Sequence, residues 1–487
     1  MRLRIEKATP LLADAARHSP ARIGVAAVVL SALLLAIPIA PVAAQNVPIA
    51  YTMHPEPIGP PQLTIGALFQ PATPTPNESI AVVVVHQIPV AAEIPCPQLA
   101  QRGFTVVCTD ETGTTWDQLA QGISDGVSYA RSLPGVRHVV LLGWSGGGSM
   151  AAYYQNVAQN GVAVCRAPER LDPCSSALAK LPRADGVILL DAIPGLAFSF
   201  LSALDPAVAR PEGLTSRLDP SLDLFLPRNG YNPDPKRSST YSPSFINRYT
   251  QAQAHREAEL VSIAQHLEHT APKASGATVL AVGHDAARIW QQDTSLLART
   301  KGKHLLITPT SPNGRLEVVH SVRVPSDSPI PSSPQADDAA PTDYPVDTFL
   351  SEDAIKAPDY RLSADAIEGV DWASSNTSTI VNVGGISVPL LIMSMSAHYW
   401  VVPSEMYYRA ARRSKQKTLA YVEGAEHTFN PCTACETFPD EFGNTEAELF
   451  NFVHRWLVTH FSTATAPAAA RSGRAPQSEQ PVSSHRS

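Results

Sequence analysis

A serine at position 145 has the surroundings that a nucleophile needs. It lies in Gly143-Trp144-Ser145-Gly146-Gly147-Gly148, after the apolar run Val139–Leu142 and before a helical pattern from Ser149. A serine on a tight turn between a strand and a helix exposes its hydroxyl, and small flanking residues keep the turn free of clashes. A phosphate-binding loop is the alternative, but the lysine and the glycine spacing of such loops are missing. We therefore interpret Ser145 as a catalytic nucleophile.

A histidine near the carboxyl end of the sequence is placed to be the general base. The strand-like run Thr418–Val422 is followed by Glu423-Gly424-Ala425-Glu426-His427, and a helical pattern begins at Thr445. A histidine needs little tuning of its pKa to accept a proton near neutral pH. The chain has 15 histidines, so a histidine in a surface loop is the alternative. The position between the last strand and the last helix favours His427 as the base.

Strand-like and helix-like patterns alternate around these two residues. Apolar and β-branched runs predict strands at Ile80–Val85, Thr105–Cys108, His138–Leu142, Gly186–Leu190, Val388–Met393 and Thr418–Val422. Apolar residues at helical spacing predict a helix from Trp116 to Leu133 and another from Thr445 onward. Strands separated by helices favour right-handed crossovers, and hence a parallel sheet with helices on both faces.

The serine turn and the strand and turn that end at His427 resemble the α/β-hydrolase superfamily. The resemblance spans about 63–192 and 387–461. It implies an α/β fold with a mostly parallel central sheet flanked by helices, in which the nucleophile follows the fifth strand and the base follows the last. It also implies an esterase-like or lipase-like serine hydrolase that works through an acyl-enzyme.

The carboxylate that would orient His427 is displaced from the position that the resemblance implies. The loop after Val388–Met393 runs from Ser394 to Pro403 without an acidic residue. Two replacements exist: Asp191, directly after the preceding strand, and Glu405, two residues past Pro403. Some lipases and dehalogenases of the superfamily use an acid after that earlier strand. This favours Asp191 as the third member, with Glu405 as the alternative.

An oxyanion hole needs two backbone N–H groups that face the carbonyl oxygen of the substrate. Gly146, directly after the nucleophile, would supply one of them. The second is expected from the loop after Ile80–Val85, where Gln87 or Ile88 would be the donor.

Three aromatic residues lie close in sequence to these loops. Trp144, Tyr399 and Trp400 are predicted to form an apolar wall that binds the substrate. The alternative is that they are ordinary core residues, as Trp116 on its amphipathic helix also could be.

A large insertion interrupts the expected core. Residues 45–195 and 386–462 would form the two parts of the hydrolase core, with 196–385 as a cap or lid between the sixth and seventh core strands. The insertion has an amphipathic pattern at Ile246–His266 and hairpin-like runs at Val279–Val282 and Leu316–Val324. Its Pro- and Ser-rich tract at 325–347 predicts a loop, and residues 463–487 predict a disordered tail.

Residues 1–44 predict a signal peptide with cleavage near Ala44. Basic residues precede the apolar run Ile23–Ile39, and Val42-Ala43-Ala44 supplies the small residues that a signal peptidase needs. An uncleaved membrane anchor is the alternative, because the apolar run approaches spanning length. We expect export to a periplasm or out of the cell, with no stable membrane span after cleavage.

Six cysteines in an exported chain predict disulfides. Cys165 and Cys174 bracket a polar loop and form the best local pair. Cys432 and Cys435 form a Cys-x-x-Cys motif, for which a structural bridge is favoured over a zinc or redox site, because no second motif completes four ligands.

Composition narrows the partner class. Of the 487 residues, 44% are hydrophobic and 17% are charged, as in a globular protein. A formal charge of −7 gives no basic field to hold phosphates, which argues against a nucleic-acid partner. We predict a small-molecule ester substrate and no metal or organic cofactor, and make no prediction of oligomeric state. An amidase, a C–C hydrolase or an acyltransferase would use the same triad, and a non-catalytic binding protein stays open because the loop acid is missing.

Overall fold

A computed structural model of the chain describes residues 48–58, 64–86, 94–111, 113–208, 219–234, 236–270, 276–283, 285–325 and 342–462. The predicted signal peptide, the predicted tail, Gln87 and Ile88 lie outside the described residues. The strands are β1 (Tyr51–Pro57), β2 (Thr64–Pro71), β3 (Ile80–Val85), β4 (Thr105–Glu111), β5 (His138–Trp144), β6 (Gly186–Leu190), β7 (Thr278–Ala281), β8 (Arg299–Thr308), β9 (Ser311–His320), β10 (Thr342–Pro345), β11 (Arg361–Leu362), β12 (Ile367–Glu368), β13 (Leu390–Met395) and β14 (Lys417–Val422). The α-helices are Pro95–Ala100, Trp116–Ser132, Gly146–Asn160, Leu196–Ala203, Pro243–Thr270, Ile289–Gln292, Val346–Thr348, Thr379–Val383, Val401–Ala410 and Thr445–Phe461.

Ten of these strands form one sheet, in the order β1-β2-β4-β3-β5-β6-β13-β14-β8-β9. Neighbours from β4 to β8 pair in parallel. Antiparallel pairing is confined to the two ends, between β1 and β2, β2 and β4, and β8 and β9. The predicted fold class, a mostly parallel sheet flanked by helices, is confirmed.

Alternate side chains of each central strand contribute to two cores, one on each face of the sheet. The odd-numbered valines of β3 pack with the helices Trp116–Ser132 and Gly146–Asn160. The even-numbered valines of the same strand belong to the core that contains the helix Thr445–Phe461. Every side chain of β3 is buried, as expected for a strand in the middle of a parallel sheet. The apolar runs in the sequence are therefore the strands that helices cover on both sides.

Part of the segment predicted as a cap lies in the central sheet. β8 pairs in parallel with β14, and β9 follows antiparallel, so residues 299–320 extend the sheet at one edge. The tract at 325–347 that was predicted as a loop contains a strand near its end, because β10 (Thr342–Pro345) pairs antiparallel with β7. Lysines and an arginine dominate the first half of β8, and they hide its strand character in the sequence.

The rest of the insertion has an aromatic core of its own. Phe198, Tyr249, Trp290 and Tyr360 are fully buried in it. Trp400, which follows β13, belongs to the same cluster. The insertion therefore packs at the edge of the sheet where the parallel strands end.

Three disulfides join Cys165 to Cys174, Cys432 to Cys435, and Cys96 to Cys108. The first two are the pairs expected from the sequence. The third links the helix Pro95–Ala100 to β4 and had no local signal. Within the described ranges, no helix combines the length and the apolar character needed to cross a membrane.

Candidate active site

Ser145 occupies the turn between β5 and the helix Gly146–Asn160, with φ of 55° and ψ of −123°. A residue with a Cβ rarely adopts positive φ, so the surrounding structure has to hold it there. The N–H of Ser145 donates to the carbonyl of Leu190 at 3.0 Å, and its own carbonyl accepts from the N–H of Ile193 at 3.1 Å. Two backbone hydrogen bonds thus hold the turn against the end of β6 and the residues that follow it.

Two glycines permit the close packing of this turn. A Cβ on Gly143 would lie 2.1 Å from the carbonyl oxygen of Gly147. A Cβ on Gly147 would lie 2.1 Å from the carbonyl oxygen of Val85, at the end of β3. Both obstacles are backbone atoms, which cannot rotate away, so glycine is required at each position.

Asp191 leaves the sheet beside Ser145. The register of β5 and β6 pairs Trp144 with Leu190, so the next residues along the two parallel strands are Ser145 and Asp191. Asp191 also has positive φ, 43°, and its N–H donates to the carbonyl of Met393 at 2.7 Å. Its place is therefore set by the strands on both sides of β6.

The carboxylate of Asp191 binds His427. Nδ1 of His427 donates to Oδ2 of Asp191 at 2.6 Å, while Oδ1 accepts longer hydrogen bonds, of 3.3 Å each, from Ser394 Oγ and Met395 N–H. Asp191 is fully buried, whereas 29% of the His427 side chain is exposed. With the proton on Nδ1, Nε2 of His427 is left to accept another.

The turn that carries His427 is tied to the Ser145 turn. Nε1 of Trp144, the residue before the serine, donates to the carbonyl oxygen of His427 at 3.1 Å. The ring of Trp144 also packs against that of Phe429, with 4.9 Å between centroids. Trp144 thus connects the predicted nucleophile and the predicted base through one rigid side chain.

A second histidine, His398, contacts the same carboxylate oxygen, and it is not among the triad members predicted from the sequence. Nδ1 of His398 lies 2.6 Å from Oδ2 of Asp191, although this contact lacks the alignment of a good hydrogen bond. The rings of His398 and His427 stack at 4.4 Å with 22° between their planes. His398 lies in the loop after β13, where the resemblance places the acid of the triad, and that position was the available signal.

The histidines set the charge state of Asp191. Burial by itself would raise the pKa of Asp191, but His398 and then His427 outweigh it and hold that pKa well below its ordinary value. Burial lowers the pKa of His398 to about 4, against the opposing attraction of Asp191. Near neutral pH the cluster is therefore an ionised Asp191 and a neutral His398.

Glu405, the alternative acid, has other partners. It lies on the helix Val401–Ala410 and accepts hydrogen bonds from the N–H groups of Lys301 and Gly302 at 2.9 and 2.7 Å. His304 Nε2 and Arg409 Nη2 each lie 3.0 Å from its Oε1. These contacts join the helix to β8.

Of the predicted oxyanion-hole donors, only Gly146 lies within the described residues. Gly146 is the first residue of the helix that follows Ser145. Gln87 and Ile88 are outside the described residues, but the close approach of Gly147 to Val85 brings the end of β3 to this turn.

The aromatic residues predicted to bind substrate are mostly enclosed. Trp144 is 3% exposed and Trp400 is 2% exposed, and both pack in hydrophobic clusters. Tyr399 is partly buried, and its ring lies 3.8 Å from that of His398. Of the three, Tyr399 is the most exposed.

Within the described parts of the chain, Asp191, His398 and His427 are the one group of three side chains with metal-ligand chemistry close together. Both histidine Nδ1 atoms lie 2.6 Å from Asp191 Oδ2. Two ligands of one tetrahedral zinc ion would lie about 3.3 Å apart, given bonds of roughly 2.0–2.1 Å. The separations fit protonated nitrogens against a carboxylate better than a shared metal ion.

The strand order and the two turns agree on one fold. A serine with positive φ follows the strand β5, in the middle of the sheet, and a histidine turn follows β14. The chain has the α/β-hydrolase fold. This explains why the turns that carry Ser145, Asp191 and His427 lie at one edge of the sheet although they are far apart in sequence, because parallel strands end at a common edge.

No protein-family model and no curated protein matches the chain. Solved structures similar to it include a hypothetical protein from Pseudomonas aeruginosa, with 13% identity, 86% of this chain and 96% of that chain covered, and a TM-score of 0.37. A soluble variant of monoglyceride lipase from Saccharomyces cerevisiae shares 12% identity, over 82% of this chain and 92% of that chain, with a TM-score of 0.37. A siderophore hydrolase from Aspergillus fumigatus shares 12%, over 81% and 94%, with a TM-score of 0.36. Similarity at this level says nothing of what the chain acts on.

Proposed function

We propose that this chain is an exported serine hydrolase that cleaves carboxylic esters. Ser145 is the nucleophile, His427 the general base, and Asp191 the acid that orients the base. The observation that carries the proposal is the 2.6 Å hydrogen bond from His427 Nδ1 to Asp191 Oδ2, at the edge of the sheet where Ser145 stands with positive φ.

The reaction proceeds in two halves. Nε2 of His427 takes the proton of Ser145 as Oγ attacks the ester carbonyl, and the N–H of Gly146 donates to the oxyanion. The bond to the alcohol then breaks as His427 returns the proton to the leaving oxygen. Water attacks the acyl-enzyme in the same way and releases the acid. Asp191 stays ionised throughout, because its neighbours hold its pKa below the ordinary value.

The second oxyanion donor is Gln87 or Ile88. The close approach of Gly147 to Val85 supports this, since Gln87 and Ile88 follow that strand within three residues in the sequence. Tyr399 contributes to the substrate wall, and the ring of Trp400 packs against it at 4.5 Å. Trp144 packs against the ring of His427. The part of the insertion that packs around Trp290 and Trp400 acts as the cap that limits substrate size.

Export is supported by the three disulfides, which persist in an oxidising compartment. We propose that residues 1–44 are removed as a signal peptide on the way.

The test is hydrolysis of nitrophenyl esters of short and long acyl chains by the mature chain. Wild-type protein is expected to release nitrophenol with an initial burst, and mass spectrometry is expected to find the acyl group on the peptide that carries Ser145. Ser145→Ala should show neither signal. Ser149→Ala is the matched control: this buried serine donates to the carbonyl of Thr377, so its loss should cost stability but leave the burst. A burst that survives Ser145→Ala would refute the proposal.

A further inference from the structure

His398 has no part in the reaction as just described, yet its contacts are those of the site. Its side chain is 8% exposed, and its Nδ1 lies 2.6 Å from the same Asp191 oxygen that His427 uses. The backbone N–H of His398 donates to the carbonyl of Met395 at 3.2 Å, and Ser321 Oγ donates to the backbone carbonyl of His398 at 3.2 Å. The backbone around His398 is therefore fixed, and the ring is held against the carboxylate.

The short contact determines which nitrogen of His398 carries the proton. An unprotonated Nδ1 would place its lone pair 2.6 Å from a carboxylate oxygen, which is repulsive. The proton is therefore on Nδ1, next to Asp191, although the N–H is not aligned with the carboxylate oxygen. Because the contact is poorly aligned, it spreads part of the carboxylate charge without displacing the stronger hydrogen bond from His427.

Burial keeps the ring of His398 neutral. The charged and titratable groups around the ring are Asp191, His427, Tyr399 and Arg323. Burial, with smaller contributions from His427 and Arg323, lowers the pKa of His398 to about 4 against the opposing attraction of Asp191. A neutral ring stacked 4.4 Å from His427 can stabilise, through its π face, the imidazolium that forms when His427 takes the serine proton. A charged ring in that place would repel it.

We propose that His398 is a positioning residue for the triad. Its ring stacks on the ring of His427 and holds it in place, and its Nδ1–H contacts the same Asp191 oxygen that accepts the hydrogen bond from His427. The proposal rests on the proposed function of Ser145, His427 and Asp191. Without the N–H of His398, Asp191 would hold the proton on His427 more tightly, so the base would stay protonated to higher pH.

The experiment compares His398→Phe with His398→Asn in the full mature chain. Phenylalanine keeps a flat ring but loses the N–H, whereas the asparagine amide can place an N–H where Nδ1 lies. For His398→Phe we expect kcat to fall about tenfold, with little change in KM. The acidic limb of kcat/KM should also move up by about half a pH unit. For His398→Asn we expect the limb to stay at the wild-type pH.

His304→Phe is the control, because His304 is the other histidine on a buried carboxylate, 3.0 Å from Glu405. It should lower the unfolding temperature and leave the acidic limb in place. The proposal is overturned if His398→Phe has the kcat of wild type and an acidic limb of kcat/KM at the wild-type pH. It is also overturned if both His398 variants lose kcat equally while the acidic limb does not move. Failure of the proposed function is seen separately, as wild-type hydrolysis that is absent or does not depend on Ser145.

Discussion

Two carboxylates in this chain are almost completely buried and contact histidines, but they differ in their remaining partners. Glu405 accepts two backbone N–H groups, His304 and the cation of Arg409, all between 2.7 and 3.0 Å. Among the residues that the structure describes, no arginine or lysine forms an ion pair with Asp191; its partners are two histidines at 2.6 Å and two neutral donors at 3.3 Å.

Under the proposed mechanism, the difference separates a structural carboxylate from a reactive one. Four short hydrogen bonds, one from a permanent cation, satisfy the charge of Glu405 whatever a substrate does. The proposed mechanism balances the charge of Asp191 only when His427 becomes an imidazolium. The pKa of each carboxyl lies below its ordinary value, since His398 and His427 overcome burial at Asp191 and His304 and its neighbours overcome it at Glu405. A lowered pKa therefore does not by itself distinguish the two.

The largest expected effect is that of Asp191→Asn on turnover. An amide cannot hold Nδ1 of His427 in its protonated form with Nε2 free, so kcat should fall by about 10⁴. Steady-state hydrolysis of a nitrophenyl ester measures this. The matched change Glu405→Gln should leave kcat within about twofold of wild type, because the hydrogen-bond partners of Glu405 are on β8 and its own helix and include neither Ser145 nor His427. A larger loss in Glu405→Gln than in Asp191→Asn would reverse the assignment.

The next effect is on stability. Glu405→Gln removes a buried charge that faces Arg409 and two backbone N–H groups, so the free energy of unfolding should fall by about 2 kcal/mol. Urea denaturation followed by circular dichroism measures the change. Unfolding free energies equal to wild type would show that the β8 contact at Glu405 contributes nothing to the fold.

A smaller effect concerns pH. The pKa of His398 is lowered to about 4 in the folded chain, against about 6.5 when unfolded, so the unfolded state binds the proton first as the pH falls. Wild-type protein should therefore lose about 3 kcal/mol of stability between roughly pH 6.5 and pH 4, relative to His398→Phe. Asp191, whose pKa is also lowered, contributes a further loss only below about pH 4. Parallel stability curves for the two proteins would count against a buried neutral His398.

The smallest expected effect is that of a chelator. Because the 2.6 Å contacts at Asp191 fit hydrogen bonds, dialysis against EDTA should leave the rate of ester hydrolysis unchanged. A loss of activity that zinc restores would mean that the three side chains bind a metal ion.

Sequence patterns located the central strands well, because a strand buried on both faces needs a continuous apolar run. Gly186–Leu190 was predicted with its observed limits. β8 was missed, because an edge region of the sheet tolerates lysines that conceal a strand. The bridge between Cys96 and Cys108 was missed because the two cysteines come together through the packing of the helix Pro95–Ala100 against β4, which no local pattern in the sequence indicates.

The site was predictable where local pattern determines geometry. A serine between a strand and a helix, and a histidine after the last core strand, each follow from neighbouring residues. Asp191 could be preferred to Glu405 only weakly, since the choice depends on which strand ends lie side by side. The contact of His398 with Asp191 was not predicted, because nothing near His398 in the sequence marks the carboxylate that it contacts.

The most direct test of the central assignment is the rate at which a fluorophosphonate probe modifies Ser145, with the adduct mapped by mass spectrometry. We expect rapid modification of Ser145 in wild type and in Glu405→Gln, and modification slowed by orders of magnitude in Asp191→Asn. Modification of another residue, or an Asp191→Asn variant that reacts as fast as wild type, would contradict the assignment.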